Sequence, residues 1–276
     1  MNYALQTNIL SDTKSDCICL PLFLQKTDEQ TTSILCKLGQ QLDDTVGNVL
    51  TQAITRFEIS GEAGKAFMLP LDKQNFNRIL FIGLGEKNGI NTDLLKKGIT
   101  ALAAQIDDTS IKSLCIAFDE ASIGISTQKI IKDSITAIES KHYRFDQFKT
   151  KKSPKSALSE VSFYCESSQS DVANTAITYA QAQAKGVNTA KDLGNLPGNV
   201  CTPTYLAEQA IQLAANSEKV SVKVLEEADM EALNMGAFLS VSKGSTEPGK
   251  LIILEYMGGQ KDEAPHVLVG KGITFD

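Results

Sequence analysis

The sequence predicts an α/β fold: a smaller N-terminal α/β domain, a connector helix and the beginning of a second α/β domain. Two observations support this prediction. Apolar runs with the length of β-strands alternate with segments whose apolar residues recur at helical spacing, as in a largely parallel sheet joined by helices. The length of 276 residues corresponds to about two domains. We place the first domain at 1–168, the helix at 169–193 and the second domain at 194–276.

The first domain is predicted to alternate strands and helices. Residues 78–84 form an almost continuous apolar run, as in a strand buried on both faces. A helix is expected after residues 91–93, because Asn91, Thr92 and Asp93 are all candidate helix N-caps. Another helix is predicted at 127–138, where isoleucines recur at helical spacing. The remaining elements predicted here are strands at 17–24, 111–118 and 157–166 and a helix at 31–42.

The second half of the chain continues this alternation. Residues 169–193 come after a polar break and keep their apolar residues in helical phase, and a helix of this length suits a connector between two domains. Thr202 and Pro203 are typical of the N-cap and the first residue of a helix. The other elements predicted here are strands at 220–225, 236–241, 251–257 and 266–269 and a short helix at 227–233.

Composition and charge exclude several classes of protein. Hydrophobic residues make up 42% and charged residues 22% of the chain, which excludes collagen-like, disulfide-scaffold and wholly disordered proteins. The formal net charge of −6 argues against a general nucleic-acid binder, which would usually have a basic surface. The basic stretch 141–155 is expected to be solvated surface, with a local anion or subunit contact as the alternative.

The cysteines and the apolar runs bear on the cellular compartment. The six cysteines are scattered without a C-x-x-C pair, and we expect them to be buried, reduced thiols in a reducing compartment. The N-terminus lacks the basic and apolar regions of a secretory signal. The apolar runs are too short to span a bilayer. The sequence therefore predicts a cytoplasmic protein that is not inserted in a membrane.

Several familiar motifs are absent or incomplete. Residues 83–89 read G-x-G-x-x-x-G, one residue longer than the dinucleotide-binding fingerprint, and are expected to form a strand-ending turn. Residues 61–65 lack the spacing of a P-loop. With only His142 and His266 present, a three-histidine zinc site within one chain is excluded. No G-x-S-x-G motif is present, which argues against a serine hydrolase of that type.

The end of the sequence carries the most informative residues. The apolar run 266–269 leads into Lys271 between two glycines, and Asp276 lies five residues later. Ligands of α/β proteins bind at the carboxyl ends of strands, and aspartate oxygens suit divalent metals. A lysine amine binds a metal only when neutral, a state that neighbouring cations would favour. From these residues alone, a glycine turn with a surface lysine and aspartate remains the alternative.

Three stretches of the chain resemble the leucyl (cytosol) aminopeptidase family. Residues 270–276, GKGITFD, are similar to the family's G-K-G-[IV]-T-F-D motif. Residues 190–203 resemble its RDL-N-PxN-TP segment, and residues 227–245 resemble the family's stretch that contains M-x-x-L-x-M-G. The resemblance is specific from Asp192 onward and looser before it.

This resemblance implies a fold and a chemistry. The second domain would be an incomplete C-terminal α/β catalytic domain with a mixed sheet. Lys271 and Asp276 would be ligands of two divalent metal ions, manganese or zinc. The substrates would be peptides whose N-terminal residue, often leucine, is released, and the protein would be a homo-oligomer, hexameric as in the family. No membrane partner is implied.

The resemblance also implies residues that this sequence lacks. The family's catalytic lysine and its other carboxylate ligands would lie beyond Asp276, so no catalytic residue is expected within the 276 residues of a chain truncated at the first metal-binding motif. We expect the chain alone to have little or no peptidase activity, and the region after about residue 200 to be less stable than the first domain. The alternative is a non-catalytic α/β protein that binds nucleotides or nucleic acid through 83–89 and 141–155.

Overall fold

The computed structural model describes residues 1–72, 75–107, 109–260 and 262–274. The chain divides into two compact units, Met1–Thr189 and Ala190–Asp276, here called the large unit and the small unit. Their common limit falls within one long helix. The strands are β1 (Asn2–Gln6), β2 (Cys17–Lys26), β3 (Thr31–Leu35), β4 (Ala66–Pro70), β5 (Arg78–Glu86), β6 (Ser113–Ile116), β7 (Glu160–Tyr164), β8 (Val220–Leu225) and β9 (Leu251–Tyr256). The α-helices are α1 (Lys37–Val46), α2 (Val49–Arg56), α3 (Thr92–Asp107), α4 (Glu120–Ile123), α5 (Thr127–His142), α6 (Ser170–Asn195), α7 (Pro203–Ala215), α8 (Glu227–Ala232) and α9 (Gly236–Ser242).

The large unit contains a mixed sheet in the order β1-β7-β6-β2-β5-β4, with β3 paired to β2. The neighbours from β1 to β5 run parallel, whereas β4 and β3 run antiparallel to their partners. The α/β fold with a mixed sheet expected from the sequence is confirmed. Strands β2 and β5 bury residues on both faces, among them Ile18, Leu20, Ile79 and Ile82 at 0% exposure, which explains why their sequences are apolar without alternation.

Side-chain caps define where several helices begin. Asn91 Oδ1 accepts hydrogen bonds from the backbone N–H groups of Asp93 and Leu94, both at 3.0 Å, so Asn91 is the cap among the three candidates at 91–93. Ser126 caps α5. Thr202 Oγ1 accepts from the N–H of Tyr205 at 3.2 Å, and Pro203 occupies the first turn of α7. These caps satisfy backbone donors that a helix N-terminus leaves without partners.

The small unit pairs two antiparallel strands, β8 and β9, and contains α7, α8 and α9. Among its described residues, the buried apolar cluster consists of Leu225, Met230 and Leu239, with Met235, Phe238 and Leu251 packed against it. Helix α6 begins in the large unit, where its alanines at 173, 176, 180 and 184 join the core. The division into domains after residues 168 and 193 therefore stays a prediction.

Three predicted elements are wrong. Residues 31–35 form β3 rather than a helix, because their β-branched side chains suit a strand that pairs with β2; the helix begins only after Cys36, whose Sγ accepts from Gly39 N–H. Residues 236–242 form helix α9 instead of a strand, since a short apolar run does not distinguish the two. Residues 266–269 lie in neither helix nor strand.

Candidate metal-binding segment

Lys271 lies in an extended, exposed segment after β9. Residues 264–274 form neither helix nor strand, and Lys271 and its two glycine neighbours are exposed. The predicted strand that would present Lys271 is therefore not formed, and the apolar residues before it are exposed: 74% at Val267, 96% at Leu268 and 93% at Val269. A strand needs a hydrogen-bonded neighbour, and the sheet pairings among the described residues give residues 266–269 none.

The second predicted ligand, Asp276, lies outside the described residues. Across the described ranges, no three His, Cys, Asp or Glu side chains come together as a metal site would require. The described residues by themselves therefore do not form a metal site, and the geometry of a Lys271–Asp276 pair stays a prediction.

The scaffold that leads to this segment is held by contacts between α8 and the start of β9. The Gly249 N–H donates to Glu227 Oε1 at 2.9 Å, and Lys250 forms an ion pair with Glu226. The hydrogen bond from Gly249 lowers the pKa of Glu227. Glu226 and Asp229 also form a capping box at the start of α8. These contacts fix where β9 begins, and β9 is the last strand before Lys271.

The two histidines lie in different surroundings. His266 is exposed. His142, at the end of α5, places Nε2 3.5 Å from Asp107 Oδ1, and Asp107 accepts a hydrogen bond from Arg144 at 2.7 Å. Burial lowers the pKa of His142, although Asp107 acts in the opposite direction. This cluster was not found from the sequence, because the only signal was a basic stretch directly after a helix, a pattern that is typical of solvated surface.

Close packing explains two glycines of residues 61–89, Gly61 and Gly83. A Cβ at Gly83 would lie 2.0 Å from the Glu62 carbonyl oxygen, and one at Gly61 would lie 2.5 Å from the Phe23 carbonyl oxygen. Gly83 and Gly85 belong to β5, and Lys87–Gly89 is a 3-10 helix. The strand therefore extends further than predicted, and the turn begins only at Lys87.

The cysteines are free and buried throughout the described residues, which agrees with the expectation of buried, unpaired thiols. Burial raises the pKa of Cys17 to about 12 and that of Cys115 to about 11. Thiols of this kind are protonated near neutral pH, and a protonated thiol is neither a strong nucleophile nor a metal ligand. None of the helices in the described ranges is long and apolar enough to span a membrane.

Comparison with known proteins gives a consistent result for both halves of the chain. The model of the N-terminal domain of the cytosol aminopeptidase family matches residues 21–152, and that of its catalytic domain matches residues 188–276. The chain is 38% identical over 264 residues to a probable cytosol aminopeptidase of Saccharophagus degradans, covering 90% of this chain and 53% of that protein. A probable cytosol aminopeptidase of Alkalilimnicola ehrlichii is 32% identical, and the match covers 100% of this chain and 55% of that protein.

Solved structures show the same fold. A mutant of tomato leucine aminopeptidase matches with a TM-score of 0.82 at 23% identity, covering all of this chain and 55% of that one. The bottromycin maturation enzyme BotP matches with a TM-score of 0.64 at 18% identity, and the match covers 87% of this chain and 46% of that one. The chain spans about half the length of the curated relatives it matches. The two domain models, matched in order along the sequence, show that the chain belongs to the cytosol aminopeptidase family.

Proposed function

We propose that this chain supplies the N-terminal domain and the first part of the catalytic domain of a metal-dependent aminopeptidase. The polypeptide it belongs to would release N-terminal residues, often leucine, from peptides in the cytoplasm, and would act as a homo-oligomer, hexameric by family resemblance. The observation that carries this proposal is the match of the catalytic-domain model to residues 188–276, which includes the GKGITFD motif.

Lys271 and Asp276 are the proposed metal ligands. Two divalent ions, manganese or zinc, would polarise the scissile carbonyl and supply a nucleophilic hydroxide near neutral pH. The contribution of this chain would be to supply one amine and one carboxylate, five positions apart in the sequence. Support comes from the order of residues in the motif and from the position of β9 upstream of it.

The chain alone is proposed to be inactive. Two ligands do not satisfy the coordination of two metal ions, and the described residues bring no cluster of further ligands to Lys271. Turnover of leucine p-nitroanilide by the purified chain with added manganese tests this point. We expect a rate equal to that of buffer with manganese, and robust turnover would contradict the proposed inactivity.

The ligand role of Lys271 is tested separately, in the chain continued by the second half of the Saccharophagus degradans relative. Lys271→Met is expected to lose at least one bound manganese per chain, measured by metal analysis after dialysis, and to lose peptidase activity. Lys243→Met is the matched control, because Lys243 is also an exposed lysine of the small unit. Equal manganese content in both variants would contradict the assignment of Lys271.

A further inference from the structure

A polar cavity of about 360 Å³ lies in the large unit, at the edge of the sheet where β2, β5 and β6 begin. These three strands are neighbours and run parallel, so their amino ends meet at one edge. The cavity is lined by residues 14–16 before β2, residues 75–77 before β5, and Ser113, the first residue of β6. Ligand pockets in proteins have volumes of roughly 300–1,000 Å³, and this cavity therefore fits a small molecule.

Hydrogen bonds between the three segments hold the wall of this cavity in one arrangement. The Ser15 N–H donates to the Asn75 carbonyl oxygen at 3.0 Å. The Asp16 N–H donates to Ser113 Oγ at 2.8 Å, and Asp16 Oδ2 accepts from the backbone N–H groups of Lys112 at 2.7 Å and Ser113 at 3.2 Å. Hydrogen bonds to a charged acceptor are among the stronger ones in proteins. The carboxylate of Asp16 is therefore fixed in place before any ligand binds.

Several polar groups of the lining have hydrogen-bonding capacity that no described residue uses. Asp16 Oδ1 and Asn75 Oδ1 accept no hydrogen bond from the described residues, so both remain available as acceptors. The Lys14 side chain is exposed and pairs with no described residue. The Ser113 hydroxyl accepts one hydrogen bond and keeps its own donor. The cavity therefore offers an ammonium and a hydroxyl as donors, and a carboxylate and an amide oxygen as acceptors.

We propose that this cavity binds a free α-amino acid. The α-carboxylate of the ligand pairs with Lys14 and Ser113, and its α-ammonium pairs with Asp16 and Asn75. Both charges of the lining select a zwitterion, because Asp16 would repel a simple anion and Lys14 would repel a simple cation. Each charge of the ligand instead meets an opposite charge.

This inference goes beyond the proposed function. The lining residues all belong to the large unit, whereas Lys271 belongs to the small unit. A free amino acid is also the product of the proposed peptidase reaction, but binding to the cavity does not depend on that reaction. Failure of amino-acid binding would therefore leave the peptidase proposal as it stands, and the inactivity proposed for the chain alone does not prevent the test.

Saturation-transfer difference NMR with L-leucine as the probe tests the proposal on the chain as it exists. We expect saturable binding. Leucinamide lacks the carboxylate and isocaproate lacks the ammonium, so each leaves one charged group of the cavity without a partner and should bind roughly tenfold or more weakly than L-leucine. Absence of saturable binding of L-leucine, or equal affinity for the three compounds, would overturn the proposal.

Two variants assign the binding to this cavity. Lys14→Met should weaken binding of L-leucine roughly tenfold or more without weakening that of leucinamide, which has no carboxylate to pair. Asp16→Asn should weaken binding of both L-leucine and leucinamide, but not that of isocaproate. Lys152→Met is the matched control, because Lys152 is also an exposed lysine of the large unit, and it should change none of the three affinities. Equal affinity for L-leucine in Lys14→Met and Lys152→Met would overturn the proposal.

Discussion

The large and small units differ in how completely they bury their apolar residues. In the large unit, helices and strands enclose a continuous core in which β2 and β5 are buried on both faces. In the small unit, the buried cluster of described residues is Leu225, Met230 and Leu239, while 267–269 are exposed. Apolar strand composition occurs in both units. The difference teaches that composition specifies a buried strand only where neighbouring strands are present to pair with it.

The largest expected effect comes from opening the core of the large unit. Phe81 is 1% exposed in β5, so Phe81→Ala should lower the free energy of unfolding by about 3–5 kcal/mol, because it leaves a cavity among packed side chains. Chemical denaturation followed by circular dichroism measures this loss. Phe148→Ala is the control, since Phe148 is 54% exposed, and it should change stability by no more than about 0.5 kcal/mol. Equal effects would mean that the large unit is not tightly packed.

Gly83→Ala is expected to be nearly as damaging as the core truncation. The added Cβ would lie 2.0 Å from the Glu62 carbonyl oxygen. Moving β5 away from the loop that contains Glu62 should lower the free energy of unfolding by about 1–3 kcal/mol or more. Gly89→Ala is the control, because a Cβ there meets nothing within 4 Å. A stability change measured by denaturation that is the same for both variants would contradict the packing explanation and reopen a ligand-binding role for residues 83–89.

Arg144→Met should have an intermediate effect on the large unit. The side chain of Asp107 is 4% exposed and accepts a hydrogen bond from Arg144, so removing the guanidinium weakens the pairing of a buried carboxylate. We expect a loss of about 1–3 kcal/mol in thermal or chemical denaturation. Lys149→Met is the control, since Lys149, whose side chain is 58% exposed, pairs with Asp146, and a pair with such an exposed lysine contributes about 0–1 kcal/mol. A loss as small as in this control would show that the pairing of Asp107 with Arg144 does not stabilise the large unit.

The smallest expected effect is a dependence of stability on pH that arises from His142. Burial lowers its pKa in the folded protein from the usual 6.5, so the unfolded state takes up the proton first as the pH falls. This contribution to stability is constant above pH 6.5 and decreases below it, until the lowered pKa of the folded state is reached. The difference in free energy of unfolding between the unmodified chain and His142→Gln should therefore decrease as the pH falls below about 6.5. A difference independent of pH would contradict this.

Local sequence signals predicted most elements of the large unit. The cap of α3 was predicted to lie among residues 91–93, and Thr202 of the small unit was recognised as a cap, because capping depends on residues close in sequence. Strand β5 was recognised because its sequence is an almost continuous apolar run. Residues 31–35 were assigned wrongly although they pair with the preceding strand β2, and residues 236–242 were assigned wrongly because a short apolar run does not distinguish a helix from a strand. The Asp107–Arg144 ion pair was missed because 37 positions separate its two residues.

The candidate site shows the same limit more strongly. The motif around Lys271 is readable in the sequence, but its strand needs neighbours that a motif does not encode. The structure accordingly places the exposed Lys271 in a segment without helix or strand, and the prediction about Asp276 lies outside the described residues. Family resemblance therefore specifies which residues to test, whereas the motif alone does not specify their geometry.

Native-state hydrogen exchange, measured by mass spectrometry on the chain alone, tests the contrast between the two units most directly. Amides of β2 and β5 should exchange slowly, because they open only when the large unit unfolds. Amides of β8 and β9 should exchange faster, and those of 266–274 at nearly the rate of an unfolded chain. Uniform protection across both units, including 266–274, would contradict the contrast between the buried core of the large unit and the exposed residues 267–269.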